Sequence, residues 1–137
     1  MKKIGLLILV LISVAACSSD DRSDENTRYT GTDYYGKWVS IDDTAEGWSD
    51  HYVFNKNNTF TRVKTVNGVT ANLSGTFELF TREDKPNFQL TYSEPSNLIY
   101  SCSSGFGGKS ELLYILDGHL ENSAKMCDYQ LTYKKEK

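Results

Sequence analysis

Between residues 70 and 81 apolar and polar side chains alternate almost without a break. Leu73, Gly75, Phe77 and Leu79 fall on one face of an extended chain, and Ser74, Thr76 and Glu78 on the other. A half-buried strand needs this period of two, because its successive side chains point to opposite faces. The pattern continues along the chain after Thr32. Strands are predicted at residues 36–41, 51–55, 59–66 and 70–81, then around Phe88, Leu90 and Tyr92. Further strands are predicted at 98–102, 111–116 and 119–121, with a last one at 126–133 that carries Cys127, Tyr129, Leu131 and Tyr133 on one face. Turn formers separate them: Asn55-Lys56-Asn57-Asn58, the run from Arg82 to Asn87, Glu94-Pro95-Ser96-Asn97 and Asp117-Gly118. Past residue 32 no segment holds a helical period with caps. The fold class is all-β, and many short antiparallel strands make either a sandwich or a barrel. Sequential hairpins favour a small up-and-down barrel of about eight strands, because closure removes exposed edges.

The N-terminus has a different composition. Lys2 and Lys3 precede an apolar run at residues 4–12, and Ser13-Val14-Ala15-Ala16 leads to Cys17. A basic start, a short apolar core and small residues before a cut are the parts of a secretory signal. Residues 4–16 are too few for a spanning helix, which needs about 20 apolar residues. A cysteine at the cut resembles the lipobox of bacterial lipoproteins. The resemblance implies cleavage before Cys17, a diacylglyceryl group on its thiol, and a further acyl chain such as palmitate on the new amine. Two or three chains make such an anchor lasting, where one is marginal. The chain then divides into a signal peptide at 1–16, a lipidated cysteine with a flexible acidic tether at 17–33, and one domain at 34–137. Residues 18–28 hold no apolar side chain and cannot bury enough surface to order themselves. Asp20-Asp21 and Asp24-Glu25 resemble the surface-export signal of some Gram-negative lipoproteins. Ser18, where an inner-membrane retention signal has Asp, points to the outer membrane. The periplasmic and surface leaflets both stay open.

With Cys17 assigned to lipid by that resemblance, Cys102 and Cys127 remain as a pair. The envelope is oxidising, so a disulfide is expected between them. A zinc site takes four ligands, and neither His51 nor His119 lies near either cysteine in sequence. There is no Cys-x-x-Cys redox motif. No metal and no cofactor is expected. The formal net charge is −3 with no basic block, which gives no electrostatic footprint for nucleic acid.

Gly36-Lys37-Trp38 opens the first strand, Phe54-Asn55-Lys56-Asn57-Asn58-Thr59-Phe60 forms a hairpin, and Ser74-Gly75-Thr76-Phe77 follows. This order is similar to small bacterial lipocalin-like domains over roughly residues 34–92. It implies a barrel with a ligand entering at one mouth. Trp38 is read either as part of that site or as a plug at the barrel floor. Asp43-Thr44-Ala45 resembles a short O-glycosylation site of envelope proteins.

Catalytic signatures are missing. Asp50 and His51 are neighbours and face opposite sides of a strand. No Gly-x-Ser-x-Gly elbow is present, and the glycine-rich run Ser103-Ser104-Gly105-Phe106-Gly107-Gly108-Lys109 lacks Walker spacing and a following helix. The chain is expected not to be an enzyme but a binding protein. A small apolar or amphipathic ligand would meet Trp38, Trp48, Tyr52 and Tyr92 at the barrel mouth. A protein partner would instead meet the loops around Trp48 and Phe106, since aromatic residues are enriched at recognition surfaces. A hollow barrel favours the first class of partner. A filled barrel with Trp48 and Phe106 exposed favours the second.

Overall fold

The alternating stretch forms the longest strand, β4 (Val69–Arg82), with Phe77 buried and Ser74, Thr76 and Glu78 exposed. The structure is a computed structural model that describes residues 34–42, 45–129 and 131–137. The signal, the tether and Cys17 lie outside the described residues, as do Asp43 and Thr44 of the glycosylation-like triplet. Before β4 come β1 (Gly36–Ser40), β2 (Ser49–Phe54) and β3 (Thr59–Val66); after it come β5 (Lys85–Tyr92), β6 (Tyr100–Ser101), β7 (Gly105–Phe106), β8 (Ser110–Leu116), β9 (His119–Asn122) and β10 (Thr132–Lys135). Eight of them close a barrel in the order β1-β10-β9-β8-β5-β4-β3-β2, every pairing antiparallel. β6 and β7 form a separate two-stranded ribbon in the connection between β5 and β8. This is the up-and-down barrel that sequential hairpins build. The first and last strands close it through Trp38 opposite Lys135 and Ser40 opposite Tyr133.

The two ends of the barrel differ. One end has tight turns at residues 55–58, 83–84 and 117–118, and the described chain begins there at Tyr34. The opposite end carries the long connections 41–48, 93–109 and 123–131, with a single two-residue turn at 67–68. Asn67, Asp117, Glu83 and Asp84 take positive φ in these two-residue turns, the geometry that matches strand twist in hairpins.

The inward side chains are layered. At the tight-turn end aromatic rings fill the barrel: Phe54 lies 5.1 Å from both Phe77 and Phe88, and Tyr34 closes the floor against Phe88. Trp38 is fully buried, and its indole N–H donates to the Tyr34 carbonyl at 2.9 Å. Trp38 is thus the floor plug. At the long-loop end the inward positions are charged, as described below.

Two predicted strands take another form. Residues 98–102 do not join the barrel wall; Ile99 is wholly buried, and Tyr100 and Ser101 pair only with the ribbon strand β7. Residues 126–133 are not one strand. Ser123–Cys127 is a turn of 3-10 helix, capped by Asn122 accepting from the Ala124 N–H, and Asp128 at φ 63° ends it. The cap and the left-handed residue bend the chain off the extended path, so the wall resumes only at Thr132. Cys127 therefore lies in the helical turn and not on the face of Leu131 and Tyr133. It forms a disulfide with Cys102, which stands just past β6. The predicted turn from Arg82 to Asn87 is shorter than expected, because Arg82 pairs with Lys85 and Thr81 with Pro86. Pro86 is tolerated because β8 pairs with β5 only from Asn87 onward, so the missing N–H is not needed on that side.

Gly75 marks the closest approach in the wall. It sits opposite Phe60 on one side and Tyr92 on the other. A β-carbon there would lie 2.0 Å from the Thr91 carbonyl oxygen and 2.8 Å from the Tyr92 Cα. Backbone atoms cannot yield as a flexible side chain would. Gly75→Ala is expected to lower the unfolding free energy by about 3 kcal/mol or more, read as the shift of the urea midpoint. Cutting the 25-residue disulfide loop as Cys102→Ser with Cys127→Ser is expected to cost about 2–4 kcal/mol by the same assay.

Candidate functional site

Three strands bring charges to inward positions just under the long loops. Asp50 is in phase with Tyr52 and Phe54 on β2, Arg62 and Lys64 with Phe60 on β3, and Glu111 with Leu113 and Ile115 on β8. Asp50, Arg62, Lys64 and Glu111 are all buried. Arg62 binds Asp50 in a fork, Nε to Oδ1 at 2.9 Å and Nη2 to Oδ2 at 2.6 Å. Its Nη1 reaches Glu111 Oε1 at 2.9 Å and the Leu98 carbonyl at 3.2 Å. Glu111 Oε2 accepts from the Tyr52 hydroxyl at 2.6 Å and the Tyr92 hydroxyl at 2.5 Å. Asp50 Oδ2 also accepts from Tyr133 at 3.0 Å and pairs with Lys64 at 3.6 Å. Every oxygen of the two carboxylates therefore has a partner, and two cations balance two anions. A buried group left without a partner would cost far more than the net worth of any one of these bonds.

The long loops cover this layer. The backbone of residues 98–100 crosses above it, donating its Tyr100 N–H to Glu111 as well as offering the Leu98 carbonyl to Arg62. Over Lys64 stands Tyr129, whose hydroxyl accepts from Nζ at 3.3 Å. Tyr129 lies 4.7 Å from the Tyr100 ring and 5.5 Å from Phe106, and Phe106 lies 4.6 Å from Tyr100. The disulfide holds the two segments of this ring cluster together, one from each side.

The residues expected at a site divide accordingly. Trp38, Tyr52 and Tyr92 are in the filled interior with at most 2% of their surface exposed. Trp48 is 38% exposed and Phe106 57% exposed, both on the long-loop end. The Gly68 N–H donates to the Gly47 carbonyl at 3.0 Å, which ties the loop before Trp48 to the β3–β4 turn. The two carboxylates converge on a guanidinium beneath a covering segment, not in an open cleft. Among the described residues no three His, Cys, Asp or Glu side chains gather as a metal site.

The charged layer itself was not foreseen as a unit. Its signal was the phase of the alternation. Arg62 and Lys64 stand on the same parity as Phe60, and Glu111 on that of Leu113 and Ile115. Amphipathic alternation invites the opposite assignment on β3, with Val63 inward. Which parity wins depends on which ring needs the barrel centre, and only the closed sheet decides that.

Burial raises the ionisation of three tyrosines well above the ordinary value of 10.0. For Tyr52 and Tyr92 the Glu111 carboxylate adds to burial, for Tyr133 the Asp50 carboxylate does, and Arg62 offsets part of each rise. For Arg62 burial works against the charge, and the Glu111 carboxylate leads the groups that outweigh it, so the guanidinium is held more firmly protonated than in water.

No protein-family model, no curated protein and no solved structure matches the chain.

Two predictions rest on this layer. Arg62→Met is expected to destabilise the domain by about 3–5 kcal/mol, because two buried carboxylates lose their partner. The double change Arg62→Met with Glu111→Gln, which leaves Asp50 paired with Lys64, is expected to recover most of that loss in the same denaturation assay. The tyrosines add a pH dependence. Their folded ionisation is raised, so the stability they contribute is complete below pH 10, the unfolded value, and declines as pH rises above it. The expected slope is about 1.4 kcal/mol per pH unit for each buried tyrosine. Tyrosinate absorbance at 295 nm should show these rings ionising together with loss of near-ultraviolet circular dichroism.

Proposed function

We propose that the chain is an outer-membrane lipoprotein, anchored through Cys17, whose barrel is a non-catalytic binding module for a protein partner. The observation that carries this reading is the filled barrel with Trp48 and Phe106 exposed on its long-loop end. Among the described residues, rings occupy the floor and a fully paired charged layer occupies the mouth, so the inward positions are taken up by the barrel's own side chains. Trp48, Val69 and Phe106 face outward on the long-loop end instead. Aromatic side chains such as Trp48 and Phe106 are enriched at protein interfaces. Phe106 stands on a base of two tyrosines and a disulfide, so little side-chain freedom is lost on contact. The described chain enters the barrel at Tyr34, on the tight-turn end, so a tether from Cys17 would join the end opposite the long loops and not compete with them for contact.

The anchor and the partner are tested separately. Labelled palmitate should enter the wild-type chain in its host, and Cys17→Ser should abolish both the label and recovery in the membrane fraction. For the partner, a photo-crosslinking residue is placed at Trp48, at Phe106 and, as a control, at Gln89 on the lateral wall. An adduct of one defined protein mass from the loop positions and not from Gln89, lost when Phe106→Asp is combined with the Trp48 probe, is the expected result. A co-purifying small molecule in native mass spectrometry, with no loop-specific adduct, would overturn the protein-partner reading.

A further inference from the structure

The outer wall holds a second feature, independent of the loop end. A groove of about 380 Å³ runs along the outside of β5 and β8. Its floor is Leu112, Tyr114 and Leu116, the outward residues of β8, which are half-buried while their neighbours Glu111, Leu113 and Ile115 face the core. One side is the disulfide region, where Cys102 lines the groove and Met126 projects with 81% of its surface exposed. The other side is the tip of the β4–β5 hairpin, with Arg82 and Lys85. The groove is within the usual size for a small-molecule site, with the apolar lining and the few polar groups such sites have.

The two cations make the groove specific. Arg82 and Lys85 are directly opposite each other across the hairpin. Cross-strand partners of this kind stand about 5 Å apart, and like charges so placed repel. Neither cation has an ion pair among the described residues. The turn between them also carries Glu83, which lines the groove, and Asp84. Neither acid is within ion-pair distance of Arg82 or Lys85 among the described residues. Both cations therefore keep donors for a ligand on one side of an apolar trough, and an exposed methionine borders the other. Methionine adapts its shape to flexible apolar chains.

We infer that this groove binds a single-chain amphiphile with an anionic headgroup. The headgroup lies between Arg82 and Lys85, and the acyl chain lies over Leu112, Tyr114 and Leu116 toward Met126. A carboxylate and a phosphate share the chemistry that the cation pair recognises.

The test uses residues 18–137 with the disulfide formed, since the described residues carry a complete barrel core of their own. Dodecanoate and dodecyl phosphate are titrated as monomers, with dodecyltrimethylammonium as the opposite charge. Methyl NMR reads Leu112, Leu116 and Met126. Saturable shifts at these methyls with either anion, and affinity about tenfold lower in Arg82→Glu with Lys85→Glu, are the expected result. The tighter of the two anions identifies the headgroup. Both substituted residues lie on the hairpin tip outside the core, and an unchanged methyl spectrum of the free variant confirms its fold. Absence of saturable shifts, shifts that map to the loop end, equal affinity for the cationic probe, or unchanged affinity in the variant would each overturn the inference.

Discussion

The fork between Arg62 and Asp50, shared with Glu111, is the constraint on which the upper half of this barrel depends. A guanidinium inside a closed sheet has no water to turn to. It needs carboxylates from other strands, and those strands must be at the right height to supply them. Asp50 on β2 and Glu111 on β8 come from opposite sides of the wall, so one arginine ties together elements that are not neighbours in the sheet. Tyr52, Tyr92 and Tyr133 then use the remaining acceptor capacity of the same two carboxylates. Such a network adds little net stability over an apolar core of equal volume. What it does add is geometry, because each bond is met in one register of the strands and not in a slipped one.

The network also explains the covering segment. Residues 98–100 could not simply be a barrel strand, because the barrel is already closed by β5 and β8 on either side of them. Their backbone instead meets the charged layer with one carbonyl and one N–H, and Ile99 fills the space between. The long loops are thus built on a rigid, fully paired base. A recognition surface carried on such a base keeps its aromatic residues in place before contact, which lowers the entropy lost on binding. The disulfide serves the same end by holding Tyr100 and Phe106 against Tyr129.

Outside the filled interior, two regions of distinct chemistry stand out among the described residues: the loop end with Trp48 and Phe106, and the lateral groove with Arg82, Glu83 and Lys85 at its rim. The two regions have different origins. The first arises from long connections gathered at one end by an even number of up-and-down strands. The second arises because the helical turn after β9 folds back along β8 instead of continuing as wall, shielding an apolar outer stripe that would otherwise lie open.

The sequence alone determined what depends on local pattern. The period of two in residues 70–81, the turn formers between strands and the even pair of cysteines were enough for an all-β chain, an up-and-down barrel and the Cys102–Cys127 bridge. Strand β3 was legible to the residue, since Thr59 and Val66 are bounded by turns that local chemistry dictates. What failed were residues 98–102 and 126–133, whose β-rich composition suits a wall strand, but which a closed barrel of eight could not admit in full. Tertiary structure also decided the parity of Arg62, Lys64 and Glu111. Alternation says that two faces differ; it does not say which one is inside when each face carries both polar and apolar groups. That choice is made by partners distant in sequence. Asp50 and Glu111 make a buried arginine affordable, and their distance from it exists only once the sheet has closed.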